Sequence, residues 1–228
     1  MRYRLIIFDW DGTLMDSAPR IVACMALAME DVGWPVASEE AIRDIIGLGL
    51  PEAIARLCPG IEPERAERLR ERYSHHFVEA ERHQLPLSFF EGVEPALERL
   101  AANPAQLLAV ATGKSRRGLD RIFTERNCAR WFDDSRTADL TRSKPDPLML
   151  EELLDALGVA VSDAVMIGDS TYDLEMAERL GMDRIGVAWG VHARDRLARF
   201  SPLFIAEDFD SLAAWLETPP DRKGAPHE

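Results

Sequence analysis

Short apolar runs and longer amphipathic stretches alternate along this chain. Leu5-Ile-Ile-Phe8 is a continuous apolar run bounded by turn residues, the pattern of a strand buried on both faces. Ile21, Val22, Met25, Met29 and Val32 then recur at helical spacing, with Asp16 or Ser17 as cap, Pro19 in the first turn and Gly33 at the end. Ser38 starts a second helix with Ala41, Ile42, Ile45 and Ile46 as its apolar face, and Gly47-Leu48-Gly49 interrupts it. Pro51 opens a third through Leu57, and Pro59-Gly60 breaks the chain again. Pro63 to about Arg82 reads as a long charged helix stitched by Glu/Arg pairs one turn apart. No convincing strand falls in this stretch, so an all-helical insert is expected.

The pattern changes near Leu85-Pro86. Phe89 to Gly92 leads into a helix ending about Ala102, and Leu107 to Ala111 is a second strand-like run, followed by a helix from Arg116 to about Arg126. A weaker strand lies near Asp134 to Ala138, and Ser143-Lys-Pro-Asp-Pro147 opens a helix to Leu157. Ala164 to Ile167 is a clear strand, with a helix through Leu180 after it, and Arg184 to Ala188 and Leu203 to Ala206 are further short strands. Strands alternating with helices imply an α/β fold with a doubly wound parallel sheet. The expected division is a core of residues 1–16 and 88–217, the helical insert at 17–87, and a Pro-rich, polar, disordered tail at 218–228.

Bulk properties narrow the function. At 228 residues the chain suits one large domain or a domain with a smaller one inserted, and 46% hydrophobic residues suffice for a sizeable core. A formal net charge of -13 argues against a nucleic-acid binder, yet a local cation can still admit a small phosphorylated ligand. Cys24, Cys58 and Cys128 show no metal-ligand spacing, so buried reduced thiols in a cytoplasmic protein are expected. No apolar segment is long enough to span a membrane, and the first apolar run is too short for a signal peptide.

The chemistry starts where the first strand ends. Asp9 and Asp11 follow Phe8 at once, and a parallel strand delivers functional groups just beyond its carboxyl end. Two such carboxylates repel unless a cation sits beside them, and Mg2+ is the usual oxygen-liganded ion near phosphate. The plain alternative is a strand followed by an acidic Asp-Gly turn. In the common doubly wound order the first strand lies between the second and the fourth, so Asp9, Thr112 and Asp169 meet in one crevice. Lys144 stands at a helix entrance beside them, held out of the helix by Pro145, and Asp173 follows Asp169 by one helical turn. Taken singly, Thr112 reads as a strand-end cap and Lys144 as a solvated lysine.

Other polar groups read as structural. His75, His76 and His83 are expected on the surface of the charged helix, Arg116, Arg117 and Arg121 on a solvated helix face, and Met25 and Met29 in packing. Gly47-Leu48-Gly49 is either a simple helix break or a loop facing the site.

These motifs together resemble the haloacid dehalogenase-like superfamily of hydrolases. The elements are DxDGT at Asp9 to Thr13, a strand-end threonine at Thr112, a lysine before proline at Lys144, and GDxxxD from Gly168 to Asp173. Ala111-Thr-Gly-Lys-Ser115 and Asp11-Gly-Thr-Leu-Met-Asp-Ser17 look most like phosphoglycolate phosphatases, and the insert resembles that subgroup's helical cap over a Rossmann-like core. Trp10 is bulkier than the aliphatic residue expected there, and its side chain is expected to point outward, away from the chemistry. The resemblance implies that Asp9 is the nucleophile, also touching metal. It implies that Asp11 is acid and base with its carbonyl on Mg2+. Thr112, Gly113 and Lys144 would bind the phosphoryl group, Asp169 would ligate Mg2+, and Asp173 would hold it through water. A phosphatase acting on a small phosphorylated metabolite follows, with β-phosphoglucomutase-like transfer as the alternative within the fold. The metal-free dehalogenase branch fits the acidic cluster poorly. A receiver-type phospho-acceptor module is the alternative from another class. Substrate identity and oligomeric state are not legible.

Overall fold

A computed structural model describes residues 2–80 and 87–218 of the chain. The expected disorder of the tail beyond Thr218, the end of the charged helix at Arg82, and His83 lie outside the described residues.

Strand β1 (Leu5–Phe8) is the centre of a six-stranded sheet with order β5-β4-β1-β6-β7-β8. The others are β4 (Leu107–Thr112), β5 (Asp134–Thr137), β6 (Ala164–Gly168), β7 (Asp183–Val187) and β8 (Ile205–Ala206), and every pairing is parallel. Phe8 stands level with Val110 on β4 and Ile167 on β6, so these strands end side by side. The first sheet strand lies between the second and the fourth, as the sequence implied.

All four residues of β1 are fully buried, which explains why the run is apolar without alternation. Leu5 and Ile7 pack on one face with Met149, Leu150 and Leu153 of α7 (Leu148–Leu157) and Met176 of α8 (Thr171–Arg179). Ile6 and Phe8 pack on the other with Leu97 of α5 (Val93–Ala101) and Phe209 and Leu212 of α10 (Phe209–Glu217). The period-two side-chain alternation of a strand thus feeds two separate cores. Helices α6 (Arg116–Arg126) and α9 (Arg194–Ala198) complete the set around the sheet.

The chain between β1 and β4 is mostly helical: α1 (Ala18–Asp31), α2 (Glu39–Asp44), α3 (Leu50–Leu57) and α4 (Pro63–Glu79). They share a third core of Met25, Met29, Ile42, Ile54, Cys58 and Leu69, distinct from the sheet's two. Met25 and Met29 pack there as expected. Gly33, at φ +63°, ends α1, and Trp34 N–H returns to Met29 O at 2.9 Å to satisfy an end carbonyl.

Three details depart from expectation. A two-residue antiparallel ribbon, β2 (Met15–Asp16) with β3 (Ser88–Phe89), stands at the two ends of the helical stretch. Two residues are too few for alternation to register. Helix α7 starts at Leu148 rather than near Ser143, because Lys144 and Asp146 each precede a proline and are steered from helical backbone. Trp10 does not point outward. It is fully buried, edge-on to Phe89, Phe123 and Phe132 at 5.5–6.1 Å between centroids. The ring fills the sheet's own core.

Cys24, Cys58 and Cys128 are free and buried. Among the described residues no helix is long and apolar enough to cross a membrane.

Candidate active site

Three adjacent strand ends supply the carboxylates and hydroxyl the sequence singled out. Asp9 follows β1, Thr112 closes β4, and Asp169 follows β6; all are buried. Asp9 N–H donates to Ile167 O at 2.9 Å, which fixes the first of these against the third. Lys144 reaches in from the loop before α7, its Nζ 2.6 Å from Asp9 Oδ1 and 2.6 Å from Asp173 Oδ1. It is not the solvated lysine that its type alone would suggest: its side chain is wholly buried.

The partners of each carboxylate account for its direction. Asp173 Oδ2 accepts from Ser170 N at 3.1 Å and Ser170 Oγ at 2.7 Å, a capping box that starts α8. Asp169 Oδ1 accepts from Thr13 Oγ1 at 2.8 Å and Oδ2 from Val191 N at 2.8 Å. Gly12, at φ +86°, passes so close that a Cβ there would stand 2.2 Å from Asp169 Oδ2. Only glycine fits both the left-handed turn and that approach.

Charge in this cluster is out of balance. Asp9, Asp169 and Asp173 each offer an oxygen within 4.8 Å of the others, against the one ammonium of Lys144. Burial and then the Asp173 charge hold the Asp9 carboxyl well above its ordinary range. The same two causes push Asp169 up to about 7. Lys144, between two carboxylates, is held firmly protonated against the pull of burial. Asp9 Oδ2 is buried with no hydrogen-bond partner among the described residues, while Oδ1 meets the Lys144 ammonium. An all-oxygen donor set with an orphaned anionic oxygen fits a hard divalent cation.

Asp11 turns the other way. Its carboxylate receives Ser17 Oγ and lies 2.8 Å from Lys114 Nζ. Ser17 sits at the start of α1 without capping it by its side chain: its backbone, at φ -106° and ψ -10°, is not the extended form of a capping residue, and its hydroxyl donates to Asp11. Tyr73 of α4 is partly buried near Asp11, and desolvation with the Asp11 charge raises its phenol well above the usual range. Thr112 Oγ1 accepts from Lys114 N at 3.2 Å, which leaves its own proton to donate elsewhere. Lys114, Ser17 and Thr13 carried no assigned chemistry in the sequence. All three lie within or beside the motifs, and adjacency is the only signal that could have found them.

The Gly47-Leu48-Gly49 loop is more than a helix break. A Cβ on Gly113 would meet Leu48 O at 2.4 Å and Gly47 O at 2.6 Å, so the loop is seated on the Thr112-Gly113 turn. Gly49 N donates to Ser143 Oγ at 2.8 Å, beside Lys144. Next to it, Tyr172 OH donates to Asp44 O at 2.7 Å, and Arg196 holds Asp44 Oδ1 at 2.6 Å. His192, absent from the sequence-derived set, is buried beneath this contact, its Nδ1 accepting from Thr171 N at 2.9 Å.

A cavity of about 810 Å3 opens from Asp9, Asp11 and Gly113 toward α1, α3 and α4. His75 lines it, whereas His76 pairs with Asp31 at 2.6 Å on the surface. Arg116 is tied to Asp120 and Ser135, both at 2.7 Å, but Arg117 and Arg121 reach the cavity wall and so are not simply a solvated face.

Comparison with known proteins agrees with this geometry. The family model described as "Haloacid dehalogenase-like hydrolase" matches residues 6–187. The chain is 35% identical over 210 residues to "Probable phosphatase IndB" of Dickeya dadantii, covering 91% of each chain. It is 31% identical to "Phosphoglycolate phosphatase" of Vibrio cholerae, over 92% of this chain and 95% of that one. The crystal structure of a hydrolase from Pseudomonas syringae matches with a TM-score of 0.80 at 27% identity, over 93% of this chain and 97% of that one. With its motif order, its sheet and its buried carboxylates all in agreement, this chain belongs to the haloacid dehalogenase-like hydrolase family, as an enzyme of the phosphatase kind.

Proposed function

We propose that this enzyme is a Mg2+-dependent phosphomonoesterase of the phosphoglycolate phosphatase type, acting on a small phosphorylated metabolite in the cytoplasm through an aspartyl-phosphate. The observation that carries the reading is the buried Asp9 carboxylate, with Oδ1 on Lys144 and Oδ2 unpartnered at the mouth of a cavity. Asp9 attacks phosphorus, forming the acyl-phosphate bond as the ester P–O bond breaks. Asp11 gives its proton to the leaving alkoxide. It then takes one from the water that attacks the acyl-phosphate, releasing phosphate and restoring Asp9. Thr112 hydroxyl and Gly113 N–H hold phosphoryl oxygens, and Lys144 balances the charge on the nucleophile and the transferred group.

Asp9 and Asp169, with the main-chain carbonyl of Asp11, would hold Mg2+, and Asp173 would act on it through water. The bound ion supplies positive charge to the phosphoryl oxygens. The ties of Asp173 to Lys144 and Ser170 support an indirect part for this residue. Residues 17–87 would serve as a cap over the core, closing through the loop at residues 47–49 and limiting the access of bulk water.

Turnover of phosphoglycolate and of an aryl phosphate, with Mg2+ and with excess chelator, tests this reading. Hydrolysis that stops with chelator is expected, together with an acid-stable, hydroxylamine-labile phosphoprotein in quenched reactions. Undiminished activity in chelator would overturn the metal role, and no turnover of either ester would overturn the phosphatase reading for these substrates.

A further inference from the structure

Of the groups assigned to the phosphoryl transfer, Asp9, Asp11 and Gly113 line this cavity, and they are a small part of its wall. Its volume of about 810 Å3 lies within the range that encloses drug-sized ligands. A two-carbon acid such as glycolate displaces only about three or four waters, roughly 100 Å3. The loop at residues 47–49 is already seated on the core beside this space. The loop carbonyls of Gly47 and Leu48 already press on Gly113, and Gly49 N is bonded to Ser143 Oγ at 2.8 Å. Asp44 is tied to Tyr172 and Arg196 on the far side of the same loop. The loop contact is made and the space remains beside it.

Lys114, Arg117 and Arg121 line the space and suit an anionic group, but the rest of its wall is apolar surface that a two-carbon acid leaves uncovered. Met25, Leu50 and Ala53 contribute aliphatic surface from α1 and α3. Tyr73 and Phe77 contribute rings from α4, next to the catalytic end. Ser74, on the same helix, adds a hydroxyl at the wall. Apolar surface of this extent gains by meeting an apolar body in place of water. The cavity is continuous with Asp9 and Asp11, so whatever fills it is attached to the phosphoryl group held there.

We propose that the preferred substrate is a phosphomonoester of a primary alcohol with a bulky, ring-bearing, partly apolar leaving group, about the size of a nucleoside. The site selects it over two- or three-carbon acids. Binding of the ring between α4 and the α1–α3 wall orients the ester for in-line attack, so the preference appears in kcat/KM. The inference rests on the phosphatase reading and deepens it.

The test compares four primary-alcohol esters of similar intrinsic reactivity: phosphoglycolate, glycerol 1-phosphate, 2-phenylethyl phosphate and uridine 5′-monophosphate. At least one ring-bearing ester is expected to exceed both small esters by about tenfold or more in kcat/KM, the discrimination a filled hydrophobic pocket gives. Ala53→Phe, which puts a ring into the cavity, is expected to lower the ratio of that ester to phosphoglycolate by about tenfold or more. Ala53→Leu serves the same purpose should the larger side chain not fold, with thermal melting as the check. A wild-type preference for phosphoglycolate over both ring-bearing esters overturns the inference and leaves the phosphatase reading intact. So does an unchanged ratio in a folded variant. No turnover of any of the four overturns both.

Discussion

Replacing Asp9 by Asn keeps the side chain's shape but removes the proposed nucleophile and metal ligand. Asp9→Asn is expected to lose at least roughly a thousandfold in kcat, because the chemistry passes through a bond to this oxygen. Circular dichroism should show an unchanged fold, since the amide oxygen can still face Lys144 and Asp9 Oδ2 makes no hydrogen bond to lose. Lys144 differs: its ammonium is the cation that balances Asp9 and Asp173, both 2.6 Å away and fully buried. Lys144→Ala should therefore depress every ester by a similar factor, about 100-fold or more, without changing their order. It should also cost stability, on the order of 3–5 kcal/mol without metal, because buried carboxylates lose their partner. Denaturant melts with and without Mg2+, beside kinetics on several esters, check both parts. Trp10 supplies the contrast. Trp10→Ala is expected to destabilise by about 3–5 kcal/mol through the cavity it leaves among Phe89, Phe123 and Phe132.

The end of α2 and the loop after it hold the helical segment to the sheet. Asp44 lies 2.6 Å from Arg196 and 3.3 Å from Arg56, and its carbonyl takes the Tyr172 hydroxyl. These ion pairs are partly exposed, so together they are worth about 1 kcal/mol rather than several. Asp44→Ala should accordingly lower kcat/KM by about fivefold, chiefly through KM, and leave the melting temperature nearly unchanged. An equal loss in kcat would instead indicate that the contact shapes the chemical step. Arg56, Tyr172, His192 and Arg196, which face Asp44, come from α3, α8, the loop before α9 and α9, so no local pattern announces this junction.

Across the molecule, the acidic cluster ties metal to stability. The Asp169 carboxyl is at about 7 in the fold against an ordinary 3.8, so between those values the folded chain holds a proton that the unfolded chain does not. The metal-free protein should thus lose stability as pH rises through that window. On the proposed metal role, a divalent cation would replace the proton and relieve the repulsion. Mg2+ is expected to raise the melting temperature more at pH 8 than at pH 5.5, and its affinity should weaken as pH falls below about 7. Equal stabilisation at both values would mean that the cation binds away from Asp169.

The sequence by itself determined the strands and the corners of the site. Leu5 to Phe8 reads as a buried strand because both its faces meet helices, and the Asp, Thr, Lys and Asp motifs each follow an element that local pattern defines. With the sheet order of a doubly wound fold, those corners had to converge at Asp9. Which groups then touch was decided only in three dimensions. Ser17 reads as a cap of α1, but its backbone is not the extended form of a capping residue, and its hydroxyl donates to Asp11. Lys144 could be solvated or buried, and two carboxylates from β1 and α8 fixed it inside. Gly47-Leu48-Gly49 could be a break or a contact, and the close approach of its carbonyls to Gly113 made it a contact. Period and propensity report on neighbours a few residues away. Ion pairs, steric fit and cavity volume depend on residues brought together from opposite ends of the chain, and no local pattern encodes them.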